Sequence, residues 1–404
     1  MTALSGLRVL DLTRLLPGGL FTQLFADLGA DVVKVEDTGA GDYLRWSEPA
    51  YDGDDDSARA AGFLWLNRGK RSIRLDLKQE AGRAVLLDLV RGADVLVESF
   101  RPGVLDRLGL GYDTLAAANP RLVLCSVSGY GQDSPRSARS GHDINYLALS
   151  GLTALTGAAG GPPAPSAGQF ADIGVALLGA FAVLAALRER DGSGRGQHVD
   201  VSLFDASILW LGLLVAKQLC DGEPVRRGIT ERGVCYRLYA CADGHVALAA
   251  LEPKFWQAFC RGIGREDLVA HPWDPEGSAA HAALERVFAS RTRAQWEQFA
   301  SEHDCCLEPV LELDEALASD LVRERGLVAA LAQPGIAGAV RHLAAPLRLS
   351  RTPARASGPA PGLGEHTREV LVSLGRTPEE IEMLEKSGAV AGPHRTGARG
   401  SFLS

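Results

Sequence analysis

The chain has 404 residues, enough to bury a large core and to divide into two domains. Its hydrophobic content of 46% is ordinary for a soluble globular protein, and its formal net charge of -8 argues against nucleic acid as a bulk partner while leaving local arginines free to hold a small anion. Seven scattered cysteines without a C-x-x-C pair point to a reducing compartment and away from a structural metal.

The N-terminus lacks a basic region followed by an apolar core, so no signal peptide is expected and the protein reads as cytoplasmic. Leu7 to Leu12 predicts a strand that Pro17-Gly18-Gly19 breaks. Leu20 to Leu28 is an amphipathic helix closed by Gly29, and Ala30 to Glu36 is a second strand. Strand, turn, helix, strand implies a parallel pair with a right-handed crossover. The pattern repeats as strand Arg71 to Leu77, helix Glu80 to Val90, strand Ala93 to Glu98, a short helix at Leu115 to Ala118 and strand Leu122 to Val127. Alternation with short links predicts an α/β fold with a doubly wound parallel sheet. The first turn does not match G-x-G-x-x-G, which argues against a dinucleotide dehydrogenase. Gly18 and Gly19 serve either a tight turn or a close approach of backbone to a ligand.

Two segments place cations beside strands. Arg68 and Lys70 flank Gly69 just before the third strand, and Arg101 and Arg107 follow the fourth. In a parallel sheet ligands sit beyond the carboxyl ends of strands; Arg101 and Arg107 would lie near such an end, where cations can clamp phosphates. The competing reading for each is solvated surface charge.

Proton-transfer chemistry concentrates in Ser140-Gly141-His142-Asp143-Ile144-Asn145-Tyr146 and Phe170-Ala171-Asp172-Ile173-Gly174. His142 is able to take and give a proton near neutrality. Asp172 precedes the apolar run Ile173 to Leu187, which is shorter than the roughly 18–20 residues that span a bilayer. That run predicts a buried helix with Asp172 as its N-cap, and no membrane partner. Helix amides would depress the Asp172 pKa and suit it to nucleophilic attack, and Gly174 would leave room for a ligand.

Further on, Val234 to Tyr239 and His245 to Leu251 read as paired strands around Asp243-Gly244, followed by helices near Lys254 to Arg261, Ala279 to Ser290 and Arg293 to His303. The expected division is a large α/β domain over 1–221, a small α+β domain over 222–325, a return to the large domain over 326–386, and a disordered tail over 387–404.

Val9-Leu10-Asp11-Leu12, Ala26 to Glu36, Asn67 to Ser72, Phe100-Arg101-Pro102-Gly103 and Gly141 to Tyr146 together resemble the family III CoA-transferases of the CaiB/BaiF type, from near Ser5 to near Glu385. The last motif looks most like the α-methylacyl-CoA racemase branch of that superfamily. The resemblance implies an interlocked homodimer and a coenzyme A thioester as substrate, with no permanently bound cofactor. It implies His142 and Asp172 as the acid/base pair of a racemase, with Glu252 beside the histidine, or Asp172 as the nucleophile of a transferase. It makes Arg68, Lys70, Arg101 and Arg107 the CoA-binding cations. Family members often carry an arginine where this chain has Asp37, so that contact is either lost or supplied by another cation such as Arg45 or Arg68. The reading is an acyl-CoA racemase or epimerase; the alternatives are a CoA-transferase and a non-catalytic CoA-binding protein.

Overall fold

A computed structural model describes residues 2–53, 56–228, 233–356 and 358–393. These divide into two compact units. One takes the described residues within Met1–Leu152, Ala167–Leu211 and Glu324–Ser404, the other those within Thr153–Ser166 and Gly212–Arg323.

The first unit runs β1 (Arg8–Leu12), α1 (Leu15–Asp27), β2 (Asp31–Glu36), α2 (Ala61–Asn67), β3 (Arg71–Leu75), α3 (Glu80–Arg91), β4 (Val95–Glu98), α4 (Val104–Arg107), α5 (Tyr112–Ala118), β5 (Val123–Ser128) and α6 (Asp143–Ser150). The short helix α7 (Leu152–Leu155) falls where the chain passes from this unit to the other. The first unit resumes with α8 (Phe170–Ser193), β6 (His198–Ser202) and α9 (Leu203–Leu209). The seven-stranded sheet starts from an edge strand, Val390–Ala391, and continues β3-β2-β1-β4-β5-β6. All pairs are parallel except that edge strand, which runs antiparallel to β3. The fold is therefore the expected α/β sheet. Residues 387–393 are ordered rather than tail, because Val390 joins the aliphatic core and pairs with Leu75; residues 394–404 lie outside the described ones.

Alternation along the strands builds two cores. Val9, Val95, Val97 and Val123 face α1 and α8 on one side. Leu10, Leu96 and Leu124 face α3, α4 and α5 on the other. Helix α8 is longer than predicted, 24 residues, and is long and apolar enough to cross a membrane, a test that buried core helices also pass; its inner face, with Val175, Ala176 and Val183, packs into the first core.

Pro17-Gly18-Gly19 does not break the chain but lies inside the first turns of α1. Proline is tolerated there because the amides of a first turn have no helical partner. A Cβ on Gly18 would lie 2.1 Å from the Cβ of Thr13, so this glycine lets the helix start close against its own approach strand.

Buried charge ties these elements together. Asp11 at the end of β1 is fully buried; it accepts from Thr13 N–H at 2.9 Å, from the Thr22 hydroxyl at 2.7 Å and from Lys70 Nζ at 3.0 Å. Lys70 also donates to Asn67 Oδ1 at 2.9 Å, and Lys34 bridges Asp42 Oδ2 at 2.9 Å and the Thr13 carbonyl at 2.9 Å. Burial and the neighbouring Lys34 bring the Lys70 pKa down to about 8, opposed by Asp11.

The second unit centres on an antiparallel sheet of β7 (Tyr236–Cys241), β8 (Gly244–Ala249) and β9 (Leu307–Pro309). Cys241 pairs with Gly244, which puts Ala242-Asp243 in the turn, one residue earlier than predicted. Helix α10 (Gly212–Asp221) precedes the sheet. The helices α11 (Pro253–Gly262), α12 (Ala279–Ala289) and α13 (Arg293–Glu302) follow the expected order, and Trp256, Phe259, Phe288 and Trp296 form the core.

Replacing Lys70 by Met strips a buried carboxylate of its nearest cation. The expected loss is about 3–5 kcal/mol in urea unfolding; an unchanged midpoint would show that Lys34 alone neutralises Asp11.

Candidate active site

His142 and Asp172 stand at the N-termini of two helices. His142 is the N-cap of α6, exposed, with its backbone N–H donating to Asn145 Oδ1 at 3.0 Å. Asp172 is not the cap of α8 but sits within its first turn, two residues after Phe170. The side chain of Asp143, next to His142, joins the two ends: its Oδ1 accepts from Ala171 N–H at 2.7 Å and from Asp172 N–H at 3.1 Å. These are orphan amides of α8, satisfied by a carboxylate from α6 because the cap residue Gln169 makes no side-chain bond.

The sequence places Asp143 in the motif but gives no sign of this role, since it depends on a segment 28 residues further along folding back. It also reverses the electrostatics expected of Asp172. Burial, and then the Asp143 carboxylate, push the Asp172 pKa up from 3.8 to about 7. The helix amides that were to depress it are occupied. Tyr146 completes the floor: its hydroxyl donates to the Gly141 carbonyl at 3.0 Å, and its ring packs edge-on to Tyr130. Gly174 does not leave space for a ligand; a Cβ there would lie 2.9 Å from Trp210 Nε1, whose N–H donates to the Phe170 carbonyl at 3.1 Å.

Glu252 lies on the second unit, exposed, as the N-cap residue of α11. The four predicted phosphate cations separate into two pairs. Lys70 has no exposed side-chain surface, and its ammonium is engaged by Asp11, Thr22 and Asn67. Arg68 is engaged by Asp27, with Nε 3.1 Å from Oδ1. Arg45, expected to compensate for Asp37, is buried in a two-point pair with Glu36 at 2.8 and 2.7 Å. These three hold the fold and present no charge to a ligand. Arg101 and Arg107 are exposed, and neither pairs with a carboxylate among the described residues. Arg101 borders a cavity of about 350 Å³ whose lining also includes Glu98, Asp106, Asp133 and Asp200. Among the described residues no His, Cys, Asp and Glu cluster is arranged to hold a metal.

The imidazole of His142 and the carboxyl of Asp172 thus stand at two helix ends joined by Asp143, groups of the kind that serve acid–base or acyl chemistry. The chain belongs to CoA-transferase family III, whose model matches residues 4–367. It is 34% identical over 390 residues to the succinyl-CoA:mesaconate CoA-transferase of Haloarcula marismortui, covering 93% of this chain and 97% of that one. It is 37% identical over 399 residues to the alpha-methylacyl-CoA racemase of Mus musculus, covering 96% and 97%. The crystal structure of a CAIB/BAIF family protein from Brucella suis superimposes with a TM-score of 0.80 at 32% identity, covering 92% and 99%. The chain is thus an enzyme of a family that works on CoA thioesters, which sets aside the non-catalytic alternative.

The raised Asp172 pKa has a stability consequence. Its folded value, about 7, exceeds the unfolded 3.8, so the group's stabilising contribution is complete below the unfolded value and is lost as pH rises through 7. Asp172→Asn is therefore expected to be more stable than the wild type at pH 8, by on the order of a few kcal/mol, and to match it near pH 4. Thermal melts at the two pH values read this out. Equal melting temperatures at pH 8 would mean that Asp172 is ionised at no cost.

Proposed function

We propose that this enzyme inverts the α-carbon of a 2-methylacyl-CoA thioester, with His142 and Asp172 as the two acid/base groups. The carrying observation is the placement of Asp172, partly shielded from solvent beside the Asp143 carboxylate that bonds the Ala171 and Asp172 amides; burial and that charge raise its pKa to about 7. A general base works best with a pKa near the operating pH, whereas a carboxylate nucleophile is served by a depressed one. One group removes the proton next to the thioester carbonyl and the other returns a proton to the opposite face. Since Asp143 occupies the Ala171 and Asp172 amides, the enolate oxygen must draw its hydrogen-bond donors from elsewhere. Arg101 and Arg107 are the cations for the CoA phosphates. Glu252 keeps the orienting role that the resemblance implies.

The second reading is CoA transfer through a thioester on Asp172. It is supported by relatives that match over nearly the whole chain and are named as transferases, among them the succinate–glutarate CoA-transferase of Agrobacterium fabrum, over 92% of this chain. A second copy of the chain is the proposed partner. In support, α8 carries an outward stripe of Leu177, Phe181 and Leu184, with Phe181 72% exposed. Apolar surface of that kind favours association.

A chiral 2-methylacyl-CoA incubated in D₂O, with and without a free carboxylic acid, separates the readings. The expected result is deuterium at the α-carbon with loss of stereochemistry, reduced by at least about a hundredfold in Asp172→Asn. CoA appearing on the added acid without exchange would overturn the racemase assignment. Light scattering on a sizing column is expected to give twice the chain mass, and Phe181→Asp to shift it towards a single chain; an unchanged mass would remove α8 from the interface.

A further inference from the structure

Residues 129–142, between β5 and α6, form neither helix nor strand, and His142 stands exposed at their end. An imidazole carried by a long irregular segment keeps one position only if the backbone beneath it is pinned. Two side chains on the first turn of α6 supply pins. Asn145 grips the His142 backbone twice: its Oδ1 accepts from His142 N–H at 3.0 Å, and its own N–H donates to the His142 carbonyl at 2.8 Å. The second bond is available to any residue with an amide at that place. The first needs a side-chain acceptor three residues into the helix, the reciprocal half of a capping box. Asn145 is itself exposed, so it fills no core.

Tyr146 holds the residue before. Its hydroxyl donates to the Gly141 carbonyl at 3.0 Å. Its buried ring fills a slot that two glycines leave open: a Cβ on Gly129 would lie 2.6 Å from Tyr146 Oη, and one on Gly141 would lie 3.0 Å from the same atom. Gly129 follows β5 directly, and its carbonyl accepts from the N–H of Phe204 in α9 at 3.1 Å. Tyr146 therefore ties the end of the irregular segment to its beginning at the sheet. Together the two side chains fix Gly141 and His142 from both sides. Such precision matters for a proton-transfer group, because a displacement of about 1 Å costs up to a hundredfold in rate.

We propose that Asn145 and Tyr146 are positioning residues that hold the His142 imidazole on one face of the substrate α-carbon. This rests on the reading of His142 and Asp172 as a two-base pair, in which each enantiomer of the substrate loses its α-proton to a different base. A displaced imidazole slows proton removal on its own face and leaves the Asp172 face as it was. General loosening of the site slows both faces alike, so the two enantiomers tell positioning from structure.

Deuterium uptake at the α-carbon, followed by NMR separately for the (R)- and (S)-2-methylacyl-CoA in D₂O, tests this. His142→Gln marks the enantiomer that the histidine serves by abolishing its exchange. Asn145→Leu is expected to lower kcat for that enantiomer about tenfold at unchanged KM and to leave the other within about twofold. Asn145→Asp keeps the acceptor and is expected to recover most of the loss. Tyr146→Phe removes only the hydroxyl and is expected to slow the same enantiomer. If Asn145→Leu and Tyr146→Phe slow both enantiomers equally, or neither, the proposal fails. If Asn145→Asp is as slow as Asn145→Leu, the acceptor is not what matters and the assignment of Asn145 fails. If Tyr146→Phe slows only the other enantiomer, Tyr146 serves the carboxylate and its half fails. If the wild type exchanges neither enantiomer, or His142→Gln affects neither, the two-base reading itself falls and this inference with it.

Discussion

The buried carboxylate of Asp11 is the interaction that holds the large unit in register. It sits where β1 ends, without solvent contact, and is tolerable there only because its oxygens are filled by Thr13, Thr22 and Lys70, with Lys34 alongside. Desolvating ions costs several kcal/mol each, so such a network stabilises only when each member is satisfied. Meeting that condition sets geometry. Thr13 and Thr22 fix the start of α1, Asn67 and Lys70 fix the passage from α2 into β3, and Asp42 fixes the loop beyond β2. The interior cations Lys34 and Lys70 are thus structural, whereas Arg101 and Arg107 stay exposed without a carboxylate partner among the described residues.

A second carboxylate arrangement governs the candidate chemistry. Asp143 stabilises the start of α8 by taking two of its free amides, and the same negative charge, with burial, makes Asp172 reluctant to ionise. One residue therefore lends stability to a helix end while destabilising the charged form of the group beside it. Stability given up at a working site in this way is the usual companion of a tuned pKa. Tyr146 and Trp210 brace the same region, the first bonded to the Gly141 carbonyl and the second to the Phe170 carbonyl.

Much of the fold was legible in the chain because it follows from local pattern. Short aliphatic runs marked β1 to β5, and the helical pattern between them marked α1 and α3, within a few residues at the ends. The misses have identifiable causes. Pro17-Gly18-Gly19 looks like a breaker in one dimension, yet a first helical turn has no amide bond for proline to lose. Helix α2 lacks a capping residue and so showed no start signal. Val390–Ala391 is too short to read as a strand and exists because the edge of β3 accepts it.

Local sequence was enough to specify the sheet, the succession of its strands along the chain, and the presence of His142 and Asp172 in two glycine-flanked segments, since these depend on neighbours a few residues away. Which charges are structural and which are free was settled only by folding. Lys70 is claimed by a carboxylate 59 residues distant and Arg68 by one 41 residues distant, and Asp172 is set by a side chain 29 residues before it. Burial and electrostatic partnership are properties of proximity in space, and no reading along the chain contains them.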